Sequence, residues 1–215
     1  MIASIRYSFS HYSLAIIFFS NVFSQNFNVK PYLQNVTTSS IHIMWETTSN
    51  DESTTVHWGE TTELGYTATG DAYNSVNSHY IHDVHLTDLD QNTRYYYKVI
   101  TGGLESDIFD FVTLTASEFE SSLRVIAMSD MQKDYSNFNK FQEIINQGIF
   151  SYLDISDTLL LTDALDLVLI PGDLVDNGIN HTEWSDHFFG PSEPLFSHIP
   201  LYPVLGNHEN NSSYY

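Results

Sequence analysis

LDLVLIPGDLVDNG, Leu165 to Gly178, is an apolar run that ends at a Pro-Gly pair and gives way to two carboxylates, Asp173 and Asp176. The same arrangement occurs on either side of it. Upstream, LRVIAM (Leu123 to Met128) leads into Ser129-Asp130-Met131-Gln132; downstream, LYPVL (Leu201 to Leu205) leads into Gly206-Asn207-His208-Glu209. Helix-like segments separate the runs. One spans about Asn137 to Asn146, with Phe138, Phe141, Ile144 and Ile145 on one face, and the other lies near Glu183 to Phe189. Strand, helix, strand, helix, strand predicts βαβ units on a parallel sheet. Parallel sheets take ligands beyond the carboxyl ends of their strands. Asp130, Asp173 and Asn207 are therefore expected at one edge, where side-chain oxygens can share metal ions. Glycines before two of the clusters let the chain turn without a Cβ. Any one of these loops is equally well explained by an Asp or Asn capping the next helix, but three in succession are not.

The words DxQ, GDLVDNG and GNHE, in this order, resemble the first half of the calcineurin-like metallophosphoesterase signature. The resemblance implies a dinuclear centre that orients a phosphate ester, and an in-line attack on phosphorus by a metal-activated hydroxide without a covalent enzyme intermediate. Carried over by position, Asp130 would ligate the first metal, Asp173 would bridge both, and Asn207 would bind the second through its amide oxygen. His208 would face the leaving-group oxygen, with Asp176 orienting it. Two cations ~3.5 to 4 Å apart need a shared anionic bridge, and together they acidify a water. A supported imidazole can donate a proton as charge develops on the departing alkoxide. The implied cofactors are two metal ions drawn from Fe, Mn or Zn. Three departures qualify this. Gln132 stands where the family has a histidine ligand, which loosens the first site or shifts it toward Mn or Fe. Asp176 replaces the tyrosine that colours true purple acid phosphatases, and Asn177 replaces a phosphate-gripping arginine found in some relatives.

From Asn28 to about Leu114 the pattern has period two. Ile41, Ile43 and Trp45 alternate with His42 and Met44, and Val56 and Trp58 follow. Further runs lie at Tyr80 to Leu86, Tyr95 to Val99 and Phe109 to Thr113, with Gly70 to Asn77 and Thr101 to Ser106 read as turns. This predicts an all-β antiparallel sandwich. LDQNTRYYYKV, Leu89 to Val99, resembles the approach to a late strand of a fibronectin type III sandwich, with Tyr95 as corner tyrosine and Trp45 as core tryptophan. His79, His82 and His85 recur every third residue, a spacing that sends the middle one to the opposite face of a strand. They are read as packing or surface residues, as are His42 and His57, and His181, His187 and His198 as surface or cap residues. A fibronectin-like domain followed by the first half of an α/β metallophosphoesterase domain resembles the secreted purple-acid-phosphatase-like branch of the family.

Arg6 precedes an apolar stretch, Leu14 to Phe19, and Val22 and Ser24 supply small residues before Gln25, so residues 1–24 read as a secretory signal peptide. The domains are then 28–115 and 122–215, joined by the polar TASEFESS, Thr115 to Ser122. A secreted, extracellular or periplasmic protein is expected, with no stable membrane span after cleavage. Seven Lys and Arg against 27 Asp and Glu give a charge of −20, which excludes nucleic-acid binding through phosphate electrostatics and favours a small phosphate ester as substrate. Cysteine is absent, so a metal must use His, Asp, Glu, Asn or Gln. The sequence ends six residues after Glu209, before the isolated His and GHxH motif that continue the family pattern. The resemblance therefore implies the N-terminal portion of an enzyme, inactive by itself. A different class also fits the residues: a non-catalytic extracellular binding module with a vestigial metal site.

Overall fold

Alternation along Ile41–Thr47 turns Ile41, Ile43 and Trp45 to one side, and all three are fully buried. In the computed structural model, which describes residues 26–48, 53–75, 79–116, 122–134, 136–155, 160–212 and 214, these side chains form the centre of a β-sandwich. The strands are β1 (Phe27–Gln34), β2 (Ile41–Thr47), β3 (Thr55–Gly59), β4 (Tyr66–Thr69), β5 (Asp71–Asn74), β6 (Tyr80–Leu86), β7 (Arg94–Thr101), β8 (Leu104–Glu105) and β9 (Phe109–Val112). One layer contains β1-β2-β6-β5; the other is β4-β3-β7, with β8 and β9 both paired to β7. Leu33, Val56, Val84, Tyr97, Val99 and Phe111 complete the core. Trp45 Nε1 donates to Thr101 Oγ1 at 2.9 Å, which satisfies the polar atom of an otherwise apolar side chain. Tyr95 Oη accepts from the Asp90 backbone N–H at 2.9 Å, a corner contact five residues upstream.

His82 is fully buried, held between the hydroxyls of Thr47 and Thr54 at 2.9 and 2.8 Å and stacked on Trp45. His85 points outward and stacks on His42 with centroids 4.1 Å apart. Asp71–Asn74, read from the sequence as a turn, is strand β5 on the edge of β6. Its mixed polar composition carries no alternation because three of its four residues are exposed.

The second region contributes β10 (Val125–Ala127), β11 (Leu167–Ile170) and β12 (Leu201–Pro203), all parallel. Its helices are α1 (Lys140–Glu143), α2 (Leu161–Ala164), α3 (His181–Glu183) and α4 (Gly190–Phe196). α1 continues into a π-helical stretch, Ile144–Phe150, and α3 reaches α4 through another, Trp184–Phe189. This corrects the first helix: Phe138 lies outside it and is 65% exposed, while Phe141, Ile145 and Ile149 are buried. The wider π winding keeps residues four apart on one face.

The two regions share a sheet. β12 pairs with β1 in parallel, Gln34 opposite Leu201, so among the described residues seven strands run in the order β10-β11-β12-β1-β2-β6-β5. Val29 and Tyr32 on β1 belong to the core formed with the helices of the second region, whereas Leu33 belongs to the sandwich core. A polar cluster ties the regions together elsewhere. Asp110 on β9 accepts from Arg94, from Thr162 Oγ1 at 2.7 Å and from His198 Nδ1 at 2.6 Å, and Arg94 also reaches Asp163 at 2.6 Å. Tyr97 Oη donates to the Ser197 carbonyl at 2.7 Å. The signal-peptide residues 1–24 and the middle of the linker, 117–121, lie outside the described residues. Among the described residues no helix is long and apolar enough to cross a membrane.

Burial pushes the Asp110 carboxyl up, but the His198 and Thr162 hydrogen bonds and the His198 and Arg94 charges outweigh it, and its pKa is lowered. A lowered carboxyl stabilises the fold fully above the unfolded value of ~3.9 and ceases to do so as pH falls through the folded value. Asp110→Asn is expected to cost on the order of 2 kcal/mol at pH 6 and to flatten the dependence of urea stability on pH below about 4. Equal midpoints for variant and parent at pH 6 would count against this.

Candidate metal centre

Each parallel strand ends in a tight reversal, and the reversals place the acidic side chains. Asp130 and Asp173 both have φ of +56°, and Gly172 before Asp173 has φ of +96°. Aspartate tolerates this left-handed conformation at roughly 1–2 kcal/mol, and such strain persists only where the surroundings fix it. The fixing is visible at Gly172 and Gly206: a Cβ on the first would lie 2.7 Å from the Gly206 Cα, and one on the second 2.2 Å from Asp173 Oδ1. The loops after β11 and β12 touch backbone to backbone, and only glycine fits.

Glu209 joins these loops. It is fully buried and accepts from four backbone N–H groups: Asp173 at 3.0 Å and Gly206 at 2.5 Å on Oε2, Leu174 at 2.7 Å and Val175 at 3.4 Å on Oε1. The Gly178 N–H donates to the His208 carbonyl at 2.9 Å and closes the far side. Sequence reading gave Glu209 no role beyond the last letter of GNHE. Spacing could not reveal it, because three of its four partners lie 34 to 36 residues away.

Asp173, Asp176 and His208 come together. The His208 backbone N–H donates to Asp173 Oδ1 at 3.2 Å, and its ring Nδ1 donates to the Asp176 carbonyl oxygen at 2.8 Å. The Asp176 carboxylate stands further off, 3.6 Å from the same nitrogen. Orientation therefore runs mainly through the main chain, and Nε2 is left for a ligand. The bonded Asp176 carbonyl raises the imidazole pKa; burial opposes the rise, and the charges of Asp173, Asp176 and Glu209 add to it. Such a ring holds a proton more readily than a free one.

Gln132 and Asp176 line one cleft of about 260 Å³, with Lys133, Asp134, Phe138, Lys140 and Glu183. Gln132 Oε1 is buried there without a hydrogen-bond partner, an arrangement that asks for a cation or donor. Asp130 is exposed, its carboxylate accepting from Ser129 Oγ and its carbonyl from Lys140 Nζ; Asn207 is exposed beside His208. Among the described residues no three His, Asp or Glu side chains converge closely enough to hold a metal ion. The oxygen donors of Asp130, Gln132, Asp173 and Asn207 fit metal binding in kind and lie on one edge, but in number they fill only part of two coordination shells.

Charge adds a second feature that sequence reading missed. Lys30, Arg94, Lys98 and Arg124 each pair with a carboxylate. Lys133 and Lys140 form no ion pair among the described residues, and both line this cleft. Its carboxylates are partly engaged: Asp134 accepts from the Ser136 and Asn137 N–H groups, and Glu183 from that of Asn177. Three carboxylates, Asp134, Asp176 and Glu183, line it with the two lysines, and both ammonium groups have polar partners, Lys133 Nζ the His187 ring at 3.2 Å and Lys140 Nζ the Asp130 carbonyl.

Residues 27–113 match the family model for the purple acid phosphatase N-terminal domain, and residues 123–215 that for calcineurin-like phosphoesterase. Among solved structures, the purple acid phosphatase PPD1 from yellow lupin (Lupinus luteus) seeds is 24% identical, covering 83% of this chain and 35% of that one, with a TM-score of 0.62. PhoD is 13% identical over 88% of this chain and 40% of that one, with a TM-score of 0.63. These likenesses concern the fold, and the chain spans well under half the length of either structure. No curated protein matches the sequence.

Glu209→Gln keeps the side-chain shape but replaces an accepting oxygen with a donor facing backbone N–H groups. It is expected to cost about 2 to 4 kcal/mol and to raise amide exchange at Leu174 and Gly206 selectively. Unchanged exchange at both would show that Glu209 does not hold the loops.

Proposed function

We propose that this protein, whose residues 27–113 match the purple acid phosphatase N-terminal domain and 123–215 the calcineurin-like phosphoesterase model, takes part in hydrolysis of small phosphate esters at the edge formed by the ends of β10, β11 and β12. The observation that carries the reading is the locking of the Asp173 and His208 loops to each other beside the cleft of Gln132 and Asp176. Asp130, Gln132, Asp173 and Asn207 would hold two metal ions of the Fe, Mn or Zn type, which when bound supply Lewis acidity and a nucleophilic water.

The chain's own residues do the rest. Asp173, as the anionic donor at the centre of the edge, is held in place by Glu209 through its own N–H. Lys133 and Lys140 supply the positive charge at the cleft where a phosphate would enter, each free to turn from its neutral partner, the His187 ring and the Asp130 carbonyl. His208, with Nδ1 tied to the Asp176 carbonyl, presents Nε2 toward the leaving-group oxygen and delivers a proton as the ester bond breaks. Asp176 steadies the protonated ring. The order Arg6, Leu14 to Phe19, Val22 and Ser24 supports export to the extracellular or periplasmic space.

Two experiments test this. In the longest in-frame product containing the chain, loaded with Mn, Fe or Zn, Asp173→Asn is expected to abolish hydrolysis of p-nitrophenyl phosphate and its bis ester. Asp176→Asn should lower it roughly 10- to 100-fold, and Lys133→Gln should raise KM several-fold with little change in kcat. Full activity in Asp173→Asn would sink the assignment. The exported protein is expected to begin at Gln25 on N-terminal sequencing, and a product retaining Arg6 would overturn export by cleavage.

A further inference from the structure

A cavity of about 360 Å³ lies between β1 and β2 and the helical segment that begins at His181, and it is distinct from the cleft of Gln132 and Asp176, although Leu174 and the β12 residues Leu201 and Pro203 also line it. Its size falls within the range of small-molecule sites, ~300 to 1,000 Å³. Tyr32, Trp184, Phe188, Phe189 and Tyr214 line it, with Tyr32 and Phe189 packed at a centroid distance of 4.5 Å. Glu46 lines the same space and is only 5% exposed. Its two oxygens are held from opposite sequence regions, Oε1 by His181 Nε2 at 2.9 Å and Oε2 by Asn28 Nδ2. His181 lines the same cavity and is the ion-pair partner of Glu46, so what the carboxylate offers a guest at a pH where the imidazole is neutral is its charge.

These walls discriminate among ligands. Aromatic rings attract a cation within about 6 Å of their centroids, whereas the carboxylate repels an anion. A neutral guest gains nothing from the Glu46 charge, whose two oxygens are already paired with His181 and Asn28. The charge of −20 raises the local concentration of cations and depletes anions. Burial, then the charges of Glu46 and Asp83, raises the Tyr32 pKa, so its phenol stays neutral and adds no competing charge. We propose that this cavity binds an organic cation of the alkylammonium class, its charged head between Glu46 and the aromatic wall. Neither the metals nor the phosphoesterase reading enters this inference.

The test uses the longest in-frame product containing the chain, from Gln25 onward, in metal-free buffer at pH 8, with calorimetric titration of choline and of its uncharged isostere, 3,3-dimethylbutan-1-ol. Choline should saturate and bind about tenfold more tightly than the alcohol, the ratio that one desolvated cation–π contact supports. Glu46→Gln should lower the affinity for choline and not that for the alcohol, and Met44→Trp, which fills the cavity, should remove binding. Comparing the two ligands on the unaltered chain needs no variant to fold. Equal affinity for both ligands would mean an apolar void without charge recognition, and would overturn the proposal. So would the absence of saturable choline binding, or choline binding that persists unchanged in a folded Met44→Trp chain. Phosphoesterase activity could be present or absent in any of these cases without bearing on the result.

Discussion

A single buried carboxylate organises the edge on which the chemistry depends. Glu209 accepts from backbone N–H groups on both sides of the gap between the loops after β11 and β12. In water those N–H groups would be solvated; in the interior they must be paired. With their partner supplied, Asp173 can stay in a left-handed conformation and His208 can lie against it. The glycines at 172 and 206 permit the approach, but they do not hold it. What holds it is the bonding of one anion to several fixed dipoles in a low-dielectric setting, where hydrogen bonds to a charged group are stronger than neutral ones.

The same logic of shared structure governs the wider molecule. The composition of TASEFESS suggests two units with a linker, yet β1 is paired on one side with β2 of the sandwich and on the other with β12. Its side chains divide between two cores accordingly. The Asp110 cluster then joins β7 and β9 to α2 and to His198, with a salt-bridged carboxylate that is nearly fully buried. Positive charge is scarce in this chain, and most of it is used in such pairings. The lysines at the candidate cleft stand apart for that reason.

Much of this was legible beforehand. Trp45 as the core tryptophan and Tyr95 as the corner tyrosine follow from the resemblance of LDQNTRYYYKV to a fibronectin type III strand, and the three parallel strands from apolar runs ended by Gly, Asp and Asn, all of which are local signals. Where local signals were weak, reading went astray. Asp71–Asn74 lies on a sheet edge with little burial, so no pattern marked it as a strand. Phe138 fits the helical spacing in sequence but precedes the helix, whose π winding instead buries Phe141, Ile145 and Ile149.

By itself the sequence determined the class of each region and the identity of the chemical groups brought to the strand ends, because strand period, turn residues and the words GDLVDNG and GNHE are properties of neighbouring residues. Only the tertiary structure decided which groups meet. It gave Asp176 its main contact with His208 through a carbonyl rather than its carboxylate, made Glu209 the clamp, left Gln132 Oε1 unpaired, and put Glu46 into an aromatic cavity between regions. Those outcomes depend on contacts between residues some 20 to 135 positions apart. Such contacts follow from packing two layers around shared strands, and a one-dimensional pattern does not encode which distant backbone groups will need a partner.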